Sequence, residues 1–248
     1  MNRPAPTTPT PPAPLFLTTH WSVVADACDP EGPEAVAALE ELCGSYWMPL
    51  YLAVRRFGHS PEGSEDLTQE FFARLLEKGW LRAADREKGR FRTFLMVALK
   101  RFLANEWHRE RTARRGGGFD AVPLDTELAE RLYAGSGSHL LSPEQLFDKR
   151  WALTLIETAL VRMEGEYDEA GRGGEFALLK PCLTAGRGGI DYRELAAALG
   201  LGEGAARVAV HRIRKRFRSL FREEIARTVR DEAEVEEEMR ALMAALGT

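Results

Sequence analysis

The chain of 248 residues has a hydrophobic fraction of 44% and a charged fraction of 29%, which are ordinary values for a soluble globular protein. Its formal net charge is −4, and no apolar run approaches the roughly 20 residues that a membrane-spanning helix needs. The N-terminus also lacks the pattern of a secretory signal peptide, so we expect a cytoplasmic protein of one large or two small domains, without membrane insertion.

The chain begins with a segment that cannot bury a core. Residues 1–17 are rich in proline and threonine and predict a disordered leader. From Thr18 onward the apolar spacing is helical and no convincing strand pattern appears. The predicted fold class is therefore all-α, with two helical domains joined by a linker.

The first domain is predicted at residues 18–115. A helix near Glu34–Phe57 is expected to be interrupted or bent around Gly44 and Pro49. The other two predicted helices are Pro61–Glu77 and Phe91–Arg109, and the apolar residues of the latter form one stripe.

A linker is predicted at residues 116–141, which begin with three consecutive glycines. The second domain, 142–230, opens on a helix that is expected to end near Met163. Ser142 is the predicted N-cap of this helix, and Gln145 completes a capping box.

The most informative stretch runs from Asp191 to Phe217. Gly200 is expected to end a first helix in the left-handed conformation, and Leu201 to fill the corner before a second helix. This layout is typical of a helix-turn-helix, whose second helix enters the major groove of DNA. An ordinary helical hairpin with a solvated basic face is the alternative, and we favour DNA binding. The second helix turns one apolar stripe inward: Ala206, Val210, Ile213 and Phe217.

Basic residues are concentrated in two segments although the chain is acidic overall. From Glu87 to Arg115 there are nine Lys/Arg and three Glu, and from Arg207 to Arg222 there are seven Lys/Arg and no acidic residue. Because phosphate binding responds to the local electrostatic field, such stripes indicate a nucleic-acid interface even on an acidic protein.

Cysteine and histidine spacing predicts no metal site. Cys28, Cys43 and Cys182 are far apart, no CxxC motif is present, and no two histidines lie three or four residues apart. A structural zinc site needs four ligands at clustered spacing. We therefore expect no metal and no cofactor, and interpret the cysteines as small core residues in a reducing compartment.

Three features together resemble one family. These are the helix-turn-helix, the motif Glu65-Asp66-Leu67-Thr68-Gln69-Glu70-Phe71-Phe72 and the basic helix that starts at Phe91. They resemble the extracytoplasmic-function sigma factors, the two-domain members of the bacterial sigma factor superfamily, over roughly residues 46–115 and 175–222. The resemblance implies a factor that binds core RNA polymerase, recognises promoter DNA and helps to melt it to initiate transcription.

The resemblance assigns polymerase docking to Asp66, Gln69 and Glu70. This acidic and amide surface would suit the basic coiled coil of the polymerase largest subunit. A solvated helix face is the alternative interpretation of the same residues.

The resemblance also assigns promoter contacts to two groups of residues. Opening the minus-ten element requires holding a single strand, for which cations and a pocket for an unstacked base are useful. The residues implied for that element are Arg86, Lys88, Arg90, Lys100, Arg101, Asn105 and Arg109. Those implied for the minus-thirty-five element are Arg207, His211, Arg212, Arg214 and Lys215. Trp47, Phe94 and Trp107 fall in or near apolar stripes and are interpreted as core rather than base-stacking residues.

The chain departs from the family between its domains and at its C-terminus. The helix that starts at Ser142 is additional, and an acidic extension occupies residues 231–248. Apolar spacing in the extension predicts an amphipathic helix. One hypothesis is that the extension folds back near the recognition helix, or binds a partner, and restrains DNA binding; the other is that it completes the second domain. An anti-sigma factor or other regulatory partner is left open.

Two other classes of protein fit the sequence less well. No nucleophile elbow, phosphate-binding loop or metal cluster is present, so we predict that the chain is not an enzyme. A stand-alone helix-turn-helix regulator would account for the C-terminal domain, but not for the Asp66, Gln69 and Glu70 surface or the separate basic helix.

Overall fold

A computed structural model of the chain describes residues 21–29, 32–77, 79–110, 125–135, 140–186 and 188–247. Within these ranges the regular structure is entirely helical, which confirms the predicted all-α class. No helix in the same ranges is long and apolar enough to cross a membrane. The predicted leader, residues 1–17, and the three glycines at 116–118 lie outside the described residues.

The α-helices are, in chain order, α1 (Trp21–Ala27), α2 (Ala35–Arg56), α3 (Pro61–Glu77), α4 (Phe91–Glu110), α5 (Thr126–Gly135), α6 (Pro143–Glu169), α7 (Gly173–Leu179), α8 (Tyr192–Leu199), α9 (Glu203–Thr228) and α10 (Val235–Leu246). Short 3-10 turns lie at Trp80–Ala83, Arg86–Lys88, Lys180–Leu183 and Glu232–Glu234.

Of the two predicted alternatives at Gly44 and Pro49, an interruption or a bend, the interruption does not occur, because α2 is one continuous helix that contains Pro49. A proline inside a helix removes one backbone donor and crowds the preceding turn. All residues from Ser45 to Val54 are buried, and this packing outweighs the local cost of the proline.

Helix α6 starts with the predicted capping box. The Ser142 hydroxyl accepts a hydrogen bond from the Gln145 amide at 3.2 Å, and the Gln145 side chain accepts one from the Ser142 amide at 2.8 Å. The helix continues to Glu169, beyond the predicted end near Met163.

The aromatic centre of the core joins the two predicted domains. Tyr46 of α2 stacks on Trp151 of α6 with ring centroids 4.6 Å apart, and Phe91 of α4 lies edge-on to Tyr46 at 5.5 Å. Helix α6 also packs along α9. Buried residues from both sides of the predicted linker thus belong to one hydrophobic cluster among the described residues.

Ion pairs fix α9 against α6. Arg162 of α6 contacts Glu223 at 2.9 Å and also pairs closely with Glu224, a carboxylate that is completely buried. Further along, Arg216 pairs with Glu166, and this contact lowers the pKa of the Glu166 carboxyl. These ion pairs hold α9, which carries the second basic segment, against α6.

Part of the predicted linker is a docked helix. Helix α5 packs against α2 and α3, with Ala129 fully buried. Glu130 accepts hydrogen bonds from the Tyr51 hydroxyl at 2.8 Å and from Arg55 Nε at 2.6 Å. Residues 126–135 therefore belong to the folded body.

The predicted amphipathic C-terminal helix forms as α10 and packs on α6 and α9. Val235 and Leu242 are fully buried there. Glu238 of α10 is only 1% exposed and accepts hydrogen bonds from Arg92 Nε and Nη2, both at 2.9 Å. Arg92, which the sequence places outside the apolar stripe of α4, is therefore buried.

Candidate nucleic-acid interface

Helices α8 and α9 pack together across a tight turn at residues 200–202. The Asp191 carboxylate caps α8 by accepting the backbone N–H groups of Arg193 and Glu194 at 2.9 and 3.0 Å. Gly200 ends α8 at φ +66°, the left-handed conformation that was expected of it. Leu201 is 45% exposed, so the prediction that it fills the corner between the helices is wrong.

Helix α9 presents a basic face to solvent. Ala206, Val210 and Ile213 are buried, as predicted, which turns the intervening residues outward. The exposed residues of this face, here called the α9 outer face, are Arg207, Val208, His211, Arg212, Arg214, Lys215 and Arg218.

The side chains of the α9 outer face differ in what they contact. The Arg207 guanidinium lies 4.1 Å from the centroid of the Tyr192 ring, a cation–π contact that orients it. Within the part of the chain that the structure describes, His211, Arg212 and Lys215 have no hydrogen-bond or ion-pair partner. The donors of these three side chains are available to a ligand.

Arg214 has a structural partner. Its Nε and Nη2 donate to the Cys182 carbonyl at 3.0 and 2.7 Å, and Nη2 also donates to the Ala185 carbonyl at 2.6 Å. The sequence assigns Arg214 to the DNA-facing set, whereas here its guanidinium holds α9 to the turn that follows α7. Spacing alone does not distinguish it from Arg212, because its carbonyl partners are remote in sequence.

Two exposed residues of this face were not among the predicted site residues. Val208 is 48% exposed beside the predicted cations, and Arg218 is exposed toward the middle of α9. Val208 is an apolar residue off the buried stripe, and this departure from the pattern is a signal that the sequence does contain.

The basic loop before α4 contacts the C-terminus. Arg86 Nη2 donates to the carbonyls of Val229 and Arg230 at 3.2 and 2.5 Å. Arg90 Nε contacts Glu238 at 2.9 Å. Lys88 is highly exposed and pairs with Asp85 at 3.0 Å, which lowers the pKa of that carboxyl.

Helix α4 has an exposed polar face. Lys100 pairs with Glu144 at the start of α6, and this contact lowers the pKa of the Glu144 carboxyl. Arg101 and Asn105 are exposed one helical turn apart. The backbone of Arg109 is helical, but its side chain lies outside the described part of the chain.

Trp107 is exposed and not part of the core. Its side chain is 59% exposed, so its interpretation as a core residue is wrong; Trp47 is buried and Phe94 is partly buried, as interpreted. Residues two apart on a helix point to nearly opposite sides, so Trp107 does not share the face that carries Asn105.

The predicted docking surface on α3 is only partly open. Asp66 and Glu70 are exposed, and Gln69 is half-buried. Glu70 pairs closely with Arg74, which also contacts Glu106 of α4 at 3.0 Å. Of the two carboxylates, Glu70 is therefore paired, whereas Asp66 is exposed and has no ion-pair partner among the described residues.

Comparison with protein-family models, with curated proteins and with solved structures found no match to this chain. Within the described ranges, no group of three or more His, Cys, Asp or Glu side chains is arranged to hold a metal ion. The function is therefore argued from the surfaces above and from the motifs that resemble sigma factors.

Proposed function

We propose that the chain is a sigma factor that binds core RNA polymerase, recognises promoter DNA and helps to open it. Promoter DNA and polymerase lie in the cytoplasm of bacteria, so the proposal places the chain there. The observation that carries the proposal is the α9 outer face. There His211, Arg212 and Lys215 have no partner among the described residues, on a helix that packs against α6 and α8.

In this proposal α8 and α9 act as a helix-turn-helix. The major groove, about 12 Å wide, admits an α-helix, and an arginine can donate two hydrogen bonds to a guanine edge. Arg212 and Lys215 are the leading candidates for base and phosphate contacts because their donors have no partner in the described structure. Arg207 is oriented in advance by Tyr192.

The polymerase and minus-ten roles rest on the sigma-factor resemblance, and the exposed residues support them. Asp66 is open to a basic partner, and Arg101 and Asn105 are exposed on one face of α4. Single-stranded DNA is bound in part by cations that follow its backbone. Arg101 would hold a phosphate and Asn105 a base edge.

Reconstituted transcription tests the proposal. Core polymerase free of other sigma factors, mixed with the chain and fragments of the genome that encodes it, should yield transcripts with defined start sites. Asp66→Asn should reduce both polymerase binding and transcript yield. The matched control is Glu62→Gln, which removes the same charge from an exposed position on the same helix. Absence of transcripts from every fragment would overturn the proposal.

A stand-alone regulator is the second candidate, and one observation favours it. Arg86, Arg90 and Lys100, three predicted minus-ten cations, are paired within the molecule, whereas the α9 outer face is open. A regulator would bind duplex DNA tightly without polymerase. A sigma factor of this family would bind it weakly until polymerase is added, so duplex affinity with and without core polymerase separates the two.

A further inference from the structure

The acidic extension lies against cations predicted to contact the minus-ten element. Its segment 231–238 carries six carboxylates. Glu238 contacts both Arg90 and Arg92 at 2.9 Å, and Glu237 lies 3.6 Å from Arg90. The carbonyls of Val229 and Arg230, just before this segment, accept hydrogen bonds from Arg86.

A second set of contacts ties the same segment to α9. Arg222 pairs with Glu232 at 2.9 Å and also closely with Glu236. Both acids are well exposed. Arg222 lies one helical turn beyond Arg218, at the C-terminal end of the α9 outer face. Among the described residues, the extension makes no ion pair with the predicted recognition residues Arg207, His211, Arg212, Arg214 and Lys215.

Carboxylates and phosphates compete for the same donors. An arginine presents its N–H groups to either anion in the same bidentate geometry, and a guanidinium that is saturated by carboxylates and carbonyls has fewer donors left for a phosphate. The arginines in question, Arg86 and Arg90, are those that the sequence assigns to the DNA backbone.

We propose that the C-terminal segment 229–246 is an autoinhibitory clasp that competes with DNA phosphates for Arg86 and Arg90. Docking of α10 and binding of a DNA strand by this loop would then exclude each other. The inference rests on the proposed promoter-binding function, and it places the restraint at the minus-ten loop rather than at the recognition helix.

The contacts suit a clasp that can open. Arg92 also contacts Asp148 of α6 at 2.6 Å, so it keeps one carboxylate partner when Glu238 leaves. Burying the Glu238 charge carries a desolvation cost that offsets much of the Coulombic gain of the pair. The main apolar anchors are Val235 and Leu242, on a helix of 12 residues.

The test measures binding of a single-stranded oligodeoxynucleotide across a range of salt concentrations. The variant Glu237→Gln/Glu238→Gln removes the carboxylates that face Arg90 and leaves every arginine in place. We expect affinity to rise about tenfold at low salt, a difference of about 1.4 kcal/mol. The slope of log affinity against log salt should steepen by about 0.7, because the freed Arg90 adds one phosphate contact on a single strand.

The matched control is Glu232→Gln/Glu236→Gln, which removes the same charge from the contacts with Arg222. It should change the affinity much less. An equal rise in affinity for both variants would mean that only the net charge of the chain matters. No rise for Glu237→Gln/Glu238→Gln would mean that the extension does not compete with DNA for Arg90. Either result overturns the clasp.

Hydrogen exchange on the unmodified chain gives a second readout that needs no variant. If docking and DNA binding exclude each other, saturating oligonucleotide must raise amide exchange in 235–246. Unchanged or slower exchange there contradicts the clasp. If transcription depends on Asp66 but the binding or exchange experiment contradicts the clasp, the proposed function stands and only the clasp is overturned.

Discussion

Arg212 and Arg214 lie two residues apart on α9, and their side chains have different surroundings. Arg214 donates to the carbonyls of Cys182 and Ala185, whereas Arg212 has no partner among the described residues. Removing Arg214 deletes its hydrogen bonds to these two carbonyls, whereas truncating an exposed side chain that has no partner costs little.

Arg214→Ala is therefore expected to lower the free energy of unfolding by about 1–3 kcal/mol. Arg212→Ala is expected to change it by less than about 0.5 kcal/mol. Arg212→Ala should instead weaken promoter binding by the polymerase complex about tenfold, the size of one good base or phosphate contact. Urea unfolding and filter binding on both variants check this. The opposite pattern, with Arg212 carrying stability, would contradict the assignment.

Single-residue environments are the part of the site that sequence periodicity predicts least well. Periodicity indicates which face of a helix is apolar, but it does not indicate which other element reaches that face. Arg92 is outside the apolar stripe of α4 and is nevertheless buried, because α10 brings Glu238 to it. Trp107 lies near the stripe and is exposed. The burial of Arg92 depends on a tertiary contact with a residue far away in sequence.

At the scale of elements, local sequence signals predict some helix ends correctly and miss elements that distant contacts stabilise. The capping box at Ser142, the left-handed Gly200 and the start of α3 at Pro61 are set by residues within one helical turn, and the structure has all three as predicted. Helix α5 was missed because its stability comes from elsewhere. Its Glu130 is held by Tyr51 and Arg55 of α2, more than seventy positions earlier.

Removing the Glu130 contacts should release α5 without unfolding the rest. Glu130→Ala deletes the acceptor for Tyr51 and Arg55, and hydrogen bonds to a charged group contribute about 1.5–3 kcal/mol. We expect amide exchange in 126–135 to rise about tenfold or more, with little change in α2. Arg131→Ala, an exposed neighbour on the same helix, is the control and should leave exchange unchanged. Faster exchange throughout α2 would contradict a local role.

The pair between α6 and α9 makes stability depend on pH. Arg216 lowers the pKa of Glu166 in the folded chain below the value of about 4.3 that is usual for the unfolded chain. A carboxyl with a depressed folded pKa stabilises at pH above the unfolded value, and that contribution is lost as pH falls through the folded value. Because the two side chains are 42% and 39% exposed, the contribution should stay below about 1 kcal/mol.

Glu166→Gln tests this dependence. The variant should have a lower free energy of unfolding than the unmodified chain at neutral pH, and the difference should shrink as pH falls below about 4. Urea unfolding at a series of pH values measures both curves. Curves that stay parallel through the acid range would show that the Glu166–Arg216 pair does not contribute as inferred.

At the scale of the whole molecule, α6 connects the two predicted domains. Its N-terminal half packs on α2 through Trp151 and Tyr46, and its C-terminal half holds α9 through Arg162. Unfolding of α2 alone or of α9 alone would expose one side of α6, so the described residues should unfold in one step. Two independent domains would unfold in two steps.

The cysteines allow that distinction to be measured. Cys43 in α2 and Cys182 beyond α7 are both buried, and burial raises the pKa of the Cys43 thiol to about 11 and also raises that of Cys182. Each thiol therefore reacts slowly until its own surroundings unfold. In a Cys28→Ser background, a short pulse of alkylating reagent at increasing urea should modify both sites with the same midpoint, as resolved by peptide mass spectrometry. A lower urea midpoint for Cys182 than for Cys43 would mean that helices α7 to α9 unfold independently of α2. In that case α6 does not couple the unfolding of α2 to that of α9.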